Sequence, residues 1–295
     1  MSNQIPVGFS EEFTTEVRLL LQQQDSRFRD AVTVKSFRGK DAKAVEQIGA
    51  VTAVLRTTRH GDTPLANTPH DARWVYPSDY EWADLIDPQD ELRAIASFQS
   101  SYVQNAAAAM RRAIDDVVIN AIFSTTTKTG EDAGTTTSWA TFVSANSGHQ
   151  IADGSVGMTV AKLRATKKAF LAAEVDIDMD PLFVAIGAEQ HDDLLGETLA
   201  VSLDYNTRPV LVDGRIRSFM GFNFIDSQRL LLEDSTVRRC PAWSRTGVLL
   251  GIWNDVTGRV SERDDKSYST QVYAKCTVGA TRLEEKKVVE IECAE

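Results

Sequence analysis

The side chains in this sequence best suited to chemistry are histidines with acidic neighbours. His191, Asp192 and Asp193 are consecutive on a predicted short helix that follows a buried strand, where a hydrolase could place a base and its partner. Adjacent helical residues do not face one another, so these three make a poor catalytic or ligand set. A hydrolase using His191 with Asp192 is therefore the weaker of the functional hypotheses.

Two further groups have the residue types of metal ligands. His60 and His70 flank a proline-rich segment and have Asp62 and Asp71 beside them, but polar turn residues at a loop tip explain this pattern better. The aspartates of 176–180 alternate as in a calcium loop but lack its glycine and distal glutamate. No catalytic residue, metal or cofactor is predicted, and the sequence has no phosphate loop or dinucleotide fingerprint.

The composition of the chain argues against several other classes of protein. The 295 residues carry a net charge of -10, so a protein that grips nucleic acid through a basic face is disfavoured. Cys240, Cys276 and Cys293 have no paired spacing, which disfavours a disulfide framework or zinc site and favours synthesis in a reducing cytoplasm. The first residues lack the pattern of a secretory signal, and no apolar run is long enough for a membrane span.

The predicted helices and strands, which would position any functional site, follow one another as in an α+β fold. The spacing predicts a short helix over 10–24 and a long two-stranded β excursion over 45–85, with a proline-rich tip. Because an isolated ribbon is marginally stable in water, it is expected to lie on another surface. A continuous apolar stripe then predicts a long helix over 88–123. A polar insertion over 124–158, with one short strand at 137–143, comes next.

The rest of the chain mixes helix and strand. A capped helix is predicted over 159–175, a buried strand over 181–187 and a short helix over 188–197. Strands are predicted over 208–214 and 215–227, and the β-rich stretches that follow are 246–253, 258–265, 268–283 and 286–294. This order indicates an α+β fold without internal repeats.

Several stretches carry a family resemblance. RHGDTPLANTPHDARWVYPSDYEWADLIDPQDELR (59–93), PLFVAIGAEQHDDLL (181–195), RSFMGFNFIDSQRL (217–230) and GATRLEEKKVVEIECAE (279–295) resemble the tailed-phage major capsid proteins of the Hong Kong 97 fold, and most closely phage capsid family 2. The first stretch is the most specific, and the resemblance extends from about residue 30 to the end.

The resemblance implies a division of the chain. Residues 1–44 would be an N-terminal arm, 45–86 an extended β E-loop, and 87–174 a peripheral (P) domain with the spine helix and insertion. Residues 175–250 would form most of an axial (A) domain, and 251–295 would return as strands to the P domain.

The resemblance also implies a function and partners. Copies of the chain would assemble into pentamers and hexamers of an icosahedral head that encloses double-stranded DNA, with a scaffolding protein, a portal and a possible decoration or cement protein. Assembly would occur in the host bacterial cytoplasm, without a membrane. The residues expected at contacts between subunits are Arg59, Asp62, Pro64, Pro69, Arg73, Trp74, Tyr76, Tyr80, Trp82, Arg93, Arg111 and Arg112.

Two departures from the family refine this expectation. The chain starts almost directly with the arm, so a separate scaffolding protein is expected rather than a fused one. No lysine occurs between Lys43 and Lys128, which excludes the covalent cross-link that some relatives make through an E-loop lysine. An encapsulin-like compartment shell, which shares the fold, remains an alternative.

Overall fold

A computed structural model describes residues 22–59, 62, 65–86, 99–197, 215–233 and 236–295. The predictions for 10–21, for 87–98 and for 208–214 lie outside the described residues. The chain forms two compact units. The first comprises residues 1–25, 79–113 and 254–276, and the second comprises 26–78, 114–253 and 277–295.

The mixture of helices and strands is the predicted α+β class. The described helices are α1 (Gln99–Ile122), α2 (Trp139–Ala145), α3 (Val160–Ala172) and α4 (Ala188–Gly196). The described strands are β1 (Thr33–Ser36), β2 (Ala42–Ile48), β3 (His70–Val75), β4 (Ser78–Ile86), β5 (Thr127–Thr129), β6 (Thr135–Thr137), β7 (Gln150–Ile151), β8 (Leu182–Ile186), β9 (Ser218–Phe219), β10 (Phe222–Asp226), β11 (Leu232–Glu233), β12 (Val237–Ser244), β13 (Val248–Arg263), β14 (Ser269–Arg282) and β15 (Val288–Ala294).

The first unit is built on the first half of α1. Its core joins Ala106 and Met110 of the helix to Ala274 and Cys276 of β14. The alanine run at 106–109 favours helix and allows a neighbour to approach closely, which is why a sheet can lie directly on it. The helix ends at Ile122, one residue from its predicted end, and its described part is about 36 Å long.

The second unit contains a mixed sheet with the strand order β7-β15-β12-β8-β10-β9, and β11 also pairs with β12. β8 and β10 are parallel, whereas β12 runs antiparallel to both β8 and β15. Helix α3 is capped by Thr159, whose hydroxyl accepts from Lys162 N. The buried Lys162 ammonium donates to Val156 O at 2.7 Å and to Glu292 O of β15 at 2.8 Å, which fixes the helix to the sheet.

A smaller sheet in the same unit has the order β2-β3-β5-β6. β2 and β3 pair from Ala42↔Val75 to Ile48↔His70, with a register shift between Lys43 and Val45. The predicted long ribbon is therefore shorter than expected, because residues 49–59 form no strand. In the parts of the chain that the structure describes, no strand pairs with these residues, and a strand requires a neighbour.

One other strand prediction was wrong. Residues 139–145 form α2 rather than part of a strand, because Trp139 and Val143 are four residues apart and are both buried on one helical face. The β structure predicted at 246–253 and 258–265 is confirmed, and the structure joins the two stretches in a single 16-residue strand, β13, which continues through Gly258.

Candidate assembly surfaces

The segment between β2 and β3, residues 49–69, is the most exposed apolar part of the described chain. Gly49 N donates to Pro69 O at 2.8 Å, which closes the base of the segment. A Cβ at Gly49 would lie 2.5 Å from Pro69 Cγ, so this closure needs glycine. Beyond the base, Val54, Leu55 and Leu65 expose 68%, 84% and 99% of their surface. Isolated exposed leucines are ordinary, but several in one segment indicate a surface that another molecule covers.

Four of the predicted contact residues lie on this segment, and the structure describes three of them. Arg59, Asp62 and Pro69 are exposed, as a contact between subunits would require. Pro64 lies outside the described residues. The Arg59 carbonyl accepts a hydrogen bond from the Arg56 guanidinium, so the segment also has polar contacts of its own.

The predicted contact residues of β3 have partners inside their own unit. Arg73 is buried, and its Nε donates to Leu283 O at 2.9 Å while its Nη2 donates to Glu285 Oε2 at 2.8 Å. Trp74 Nε1 donates to Gly130 O at 2.8 Å. These two residues hold β3 in place, and their role between subunits stays a prediction.

Tyr76 follows β3 and exposes 43% of its surface. Its backbone passes so close to Gly279 that a Cβ there would lie 2.1 Å from Tyr76 O. A glycine is therefore required for this crossing, while the Tyr76 ring remains available to a partner.

In the first unit, Tyr80 and Trp82 are partly buried against the core of α1 and β14. Beside them, Tyr273 donates from its hydroxyl to Glu81 Oε2 at 3.1 Å, and this hydrogen bond raises the pKa of Tyr273. Tyr80 and Trp82 therefore pack in their own subunit, and a contact with another subunit can involve only their exposed edges.

The arginines of α1 bind the chain that precedes the second unit. Arg111 Nη1 lies 2.7 Å from Asp25 Oδ1. Arg112 Nη1 donates to Gln22 Oε1 at 2.7 Å and to Gln23 O at 3.0 Å. Within the described residues, these arginines fix residues 22–25 of the predicted arm on the helix. Their role between subunits stays a prediction. Arg93 lies outside the described residues.

The residues of the hydrolase hypothesis have structural tasks. His191 Nε2 accepts from Ile216 N at 3.2 Å, and Asp193 Oδ2 accepts from Met158 N at 2.8 Å. Asp192 is exposed. The structure therefore does not bring the three side chains together around one reacting atom.

The acidic groups considered as metal ligands are also engaged elsewhere. Asp176 Oδ1 accepts from the backbone nitrogens of residues 178 and 179, both at 3.2 Å, and Asp180 accepts from Thr246. Among the described residues, one carboxylate cluster comprises Glu233, Glu290 and Glu292. Arg239 donates to Glu290, so the central carboxylate of that cluster already has a cationic partner.

Sequence reasoning missed a group of buried charged residues. Arg282 is fully buried and its guanidinium lies 5.1 Å from the centre of the Trp139 ring. Burial lowers the pKa of Arg282 to about 10, although Glu285 opposes this change. Glu290 is also fully buried, and Trp139 Nε1 donates to it at 2.5 Å. For Glu290 the signal was a charged residue among the apolar residues of β15. β14 mixes polar and apolar residues, so Arg282 gave no such signal.

Comparison with known proteins identifies the family. The family model described as "Phage capsid protein" matches residues 5–295. The chain belongs to the phage capsid protein family. It is a major capsid protein, and many copies of it form the icosahedral shell of a phage. No relative is found among curated protein sequences. Among the described residues, no helix has the length and apolar character needed to cross a membrane.

Solved capsids have the same Hong Kong 97 fold as this capsid protein. The cyanophage Pam1 capsid matches with a TM-score of 0.74 and 13% identity, covering 98% of this chain and 97% of that one. The cyanophage P-SCSP1u capsid matches at 0.70 and 17%, covering 98% and 94%. The capsid of the native GTA particle matches at 0.72 and 10%, covering 99% and 98%.

Proposed function

We propose that this capsid protein assembles as pentamers and hexamers around double-stranded DNA, and that segment 49–69 supplies an essential contact between neighbouring subunits. The observation that carries this proposal is the exposure of Leu55 and Leu65 on a segment whose base is closed and whose described residues form no strand. Its backbone groups and its apolar side chains would both gain partners on a second copy.

The exposure of these two leucines gives an estimate of the free energy that the contact contributes to assembly. Burying one leucine side chain contributes about 1.5–3 kcal/mol. Leu55 and Leu65 together would therefore add several kcal/mol at each contact. In a shell this contribution is repeated at every copy, so its loss should prevent assembly while leaving the separate subunit intact.

A double substitution, Leu55→Ser with Leu65→Ser, tests the proposal. We expect an unchanged thermal unfolding temperature for the isolated subunit, because both side chains are exposed, and strongly reduced particle formation by electron microscopy and light scattering. Leu232→Ser is the matched control, since Leu232 is 49% exposed and lies on β11, outside the segment. Normal particles from the double variant would refute the proposed role, and a large loss of subunit stability would show that the segment packs within its own chain.

The proposal also concerns the DNA that the shell encloses and the proteins that act with the subunit. With a net charge of -10, the free subunit should bind duplex DNA weakly at physiological salt, so the shell would enclose DNA rather than grip it. A scaffolding protein, a portal and a cement protein would act with the subunit in the host bacterial cytoplasm. Tight, salt-resistant binding of duplex DNA by the subunit would contradict this container function.

We further propose that the protein is not an enzyme and is a phage head protein rather than a compartment shell. The structural tasks of His191 and Asp193 support the first statement, and the family match supports the second. Genes for a portal and a terminase beside this one would agree with the second statement, whereas a gene for a cargo enzyme would oppose it.

A further inference from the structure

Four polar side chains converge on the buried face of the small β2-β3-β5-β6 sheet. Arg73 exposes 7% of its surface, Thr127 4% and Arg282 none, and the Glu285 side chain exposes 11%. The four come from distant parts of the chain but all lie in the second unit. We call them the arginine cluster.

The strand register brings two members of the cluster to the same face. β3 and β5 are antiparallel with Arg73 opposite Thr129, and residues opposite one another share a face of the sheet. Thr127 is two positions from Thr129 and therefore faces the same way. Arg282 is the last residue of β14, and its side chain reaches the end of α1, where its Nη1 donates to Ile122 O at 2.7 Å.

The cluster has more hydrogen-bond donors than acceptors. Among the described residues, the buried Arg73 Nη1, Arg282 Nε, Arg282 Nη2 and Thr127 Oγ1 have no hydrogen-bond partner. One acceptor, Glu285 Oε1, is also without a partner, and it lies 3.8 Å from Arg282 Nη2. A small movement could join these last two atoms. Arg73 Nη1 and Arg282 Nε would still lack an acceptor, and the Thr127 hydroxyl, which can donate or accept, would still lack a partner. Each such buried group carries a desolvation cost.

The arginine cluster also carries more positive than negative charge. Two guanidinium groups share the single carboxylate of Glu285, which lies 2.8 Å from Arg73 Nη2. Asp71 is 3.8 Å from the same Arg73 nitrogen, but its side chain is 44% exposed and its Oδ1 accepts from Gly130 N. Burial and the positive charge of Arg73 both lower the pKa of Arg282, as expected for a cation without a full counter-charge.

We infer that the arginine cluster binds a small monovalent inorganic anion of the chloride type. Such an ion offers acceptor capacity in every direction and a single negative charge, which are the two properties that the cluster lacks. It would hold β3, β5, the end of α1 and the end of β14 together. This inference is independent of the assembly role of segment 49–69.

Chloride titration of the full-length subunit tests the inference. Gluconate, which is too bulky for the site, keeps the ionic strength constant while chloride replaces it, and thermal unfolding is followed by calorimetry. We expect the unfolding temperature to rise by several degrees once chloride exceeds its dissociation constant, and then to keep rising with the logarithm of chloride concentration, as for a ligand that binds only the folded state. The protein-induced broadening of the chloride NMR line should fall as chloride fills the site, and its midpoint gives the chloride concentration at half-saturation. An unfolding temperature and line width that do not respond to this exchange would overturn the inference.

Conservative variants locate the effect. Thr127→Val removes a hydroxyl that has no protein partner among the described residues, so it should leave the fold intact and weaken the chloride response. Thr129→Val is the matched control, because the Thr129 hydroxyl is 3.4 Å from the Thr137 hydroxyl and has its own partner. It should keep the full response. Glu285→Gln removes the competing negative charge and should lower the chloride concentration at half-saturation. Equal half-saturation in the wild-type protein, Thr127→Val and Glu285→Gln would place any bound anion elsewhere and refute the assignment.

Discussion

Removal of the Asp115 carboxylate should destabilise the second unit severely. Asp115 is fully buried on α1, where Oδ2 accepts from Arg27 N at 3.0 Å. Oδ1 accepts from Ser26 Oγ at 2.5 Å and from Phe28 N at 3.3 Å. One carboxylate therefore binds three consecutive residues at the point where the chain enters the second unit.

The magnitude follows from these contacts. A hydrogen bond to a charged group contributes about 1.5–3 kcal/mol, and losses within one network are not additive. Asp115→Ala also leaves buried backbone donors without an acceptor, so we expect a loss of about 3–5 kcal/mol. The anchored segment places Phe28 5.7 Å from the Trp243 ring, and Trp243 Nε1 donates to Ala31 O at 2.9 Å. Part of the loss would therefore come from weaker packing of Phe28.

The assay is urea unfolding of four variants: Asp115→Ala, Asp115→Asn, Phe28→Ala, and the double variant that combines Asp115→Ala with Phe28→Ala. Asp115→Asn retains an acceptor oxygen and should lose clearly less stability than Asp115→Ala. The double variant should lose less than the sum of the single losses, by about 0.5–3 kcal/mol, because the two residues act in one contact. A loss below about 1 kcal/mol for Asp115→Ala, or full additivity in the double variant, would refute this account of the anchor.

Three further predictions concern charge and close packing. Burial and the neighbouring Glu290 raise the pKa of Glu292. The protonated carboxyl therefore stabilises the folded protein at low pH, and this stabilisation is lost as pH rises through the folded-state pKa. Glu292→Gln should be more stable than wild type at neutral pH, and the difference should vanish on acidification. The hydrogen bond from Arg238 lowers the pKa of Glu295, so Glu295→Gln should be less stable at neutral pH and approach wild type as pH falls through that lowered pKa; calorimetry across pH checks both signs. Gly279→Ala should lower stability by about 1–3 kcal/mol in urea unfolding, because its Cβ would lie 2.1 Å from a backbone oxygen that cannot move aside freely.

The elements with a strong local pattern were predicted well from sequence. The buried strand predicted over 181–187 is β8 (Leu182–Ile186), and the following helix, predicted over 188–197, is α4 (Ala188–Gly196). The closing strand predicted over 286–294 is β15 (Val288–Ala294). In each case the apolar pattern, the turn residues and the packing favour the same structure, so local information is sufficient.

Features that depend on distant partners could not be predicted. Residues 49–59 have strand propensity, but a strand also needs a neighbour, and among the described residues no strand pairs with them. Arg73 meets Glu285 although 212 residues separate them, and no spacing rule relates such positions. Trp139 is buried in a helix because α2 packs its face inward, which overrides the local preference for strand. The candidate assembly residues were named from a resemblance, and their distribution between exposed and buried positions required the structure.

In this capsid protein, some arginines are buried and some leucines are exposed, so variants at the two kinds of position can test folding and assembly separately. Arginines such as Arg282 lie in the interior, where removal of a charge or its partner disturbs the subunit before any copy meets another. Leucines such as Leu55 lie at the surface, where removal changes nothing inside the subunit. If segment 49–69 carries the contact between subunits, interior variants should reduce assembly only in proportion to the loss of folded protein. Variants of the segment should reduce assembly at constant folded protein. Measuring both quantities for the same variants therefore tests whether assembly depends on this segment or only on the integrity of the fold.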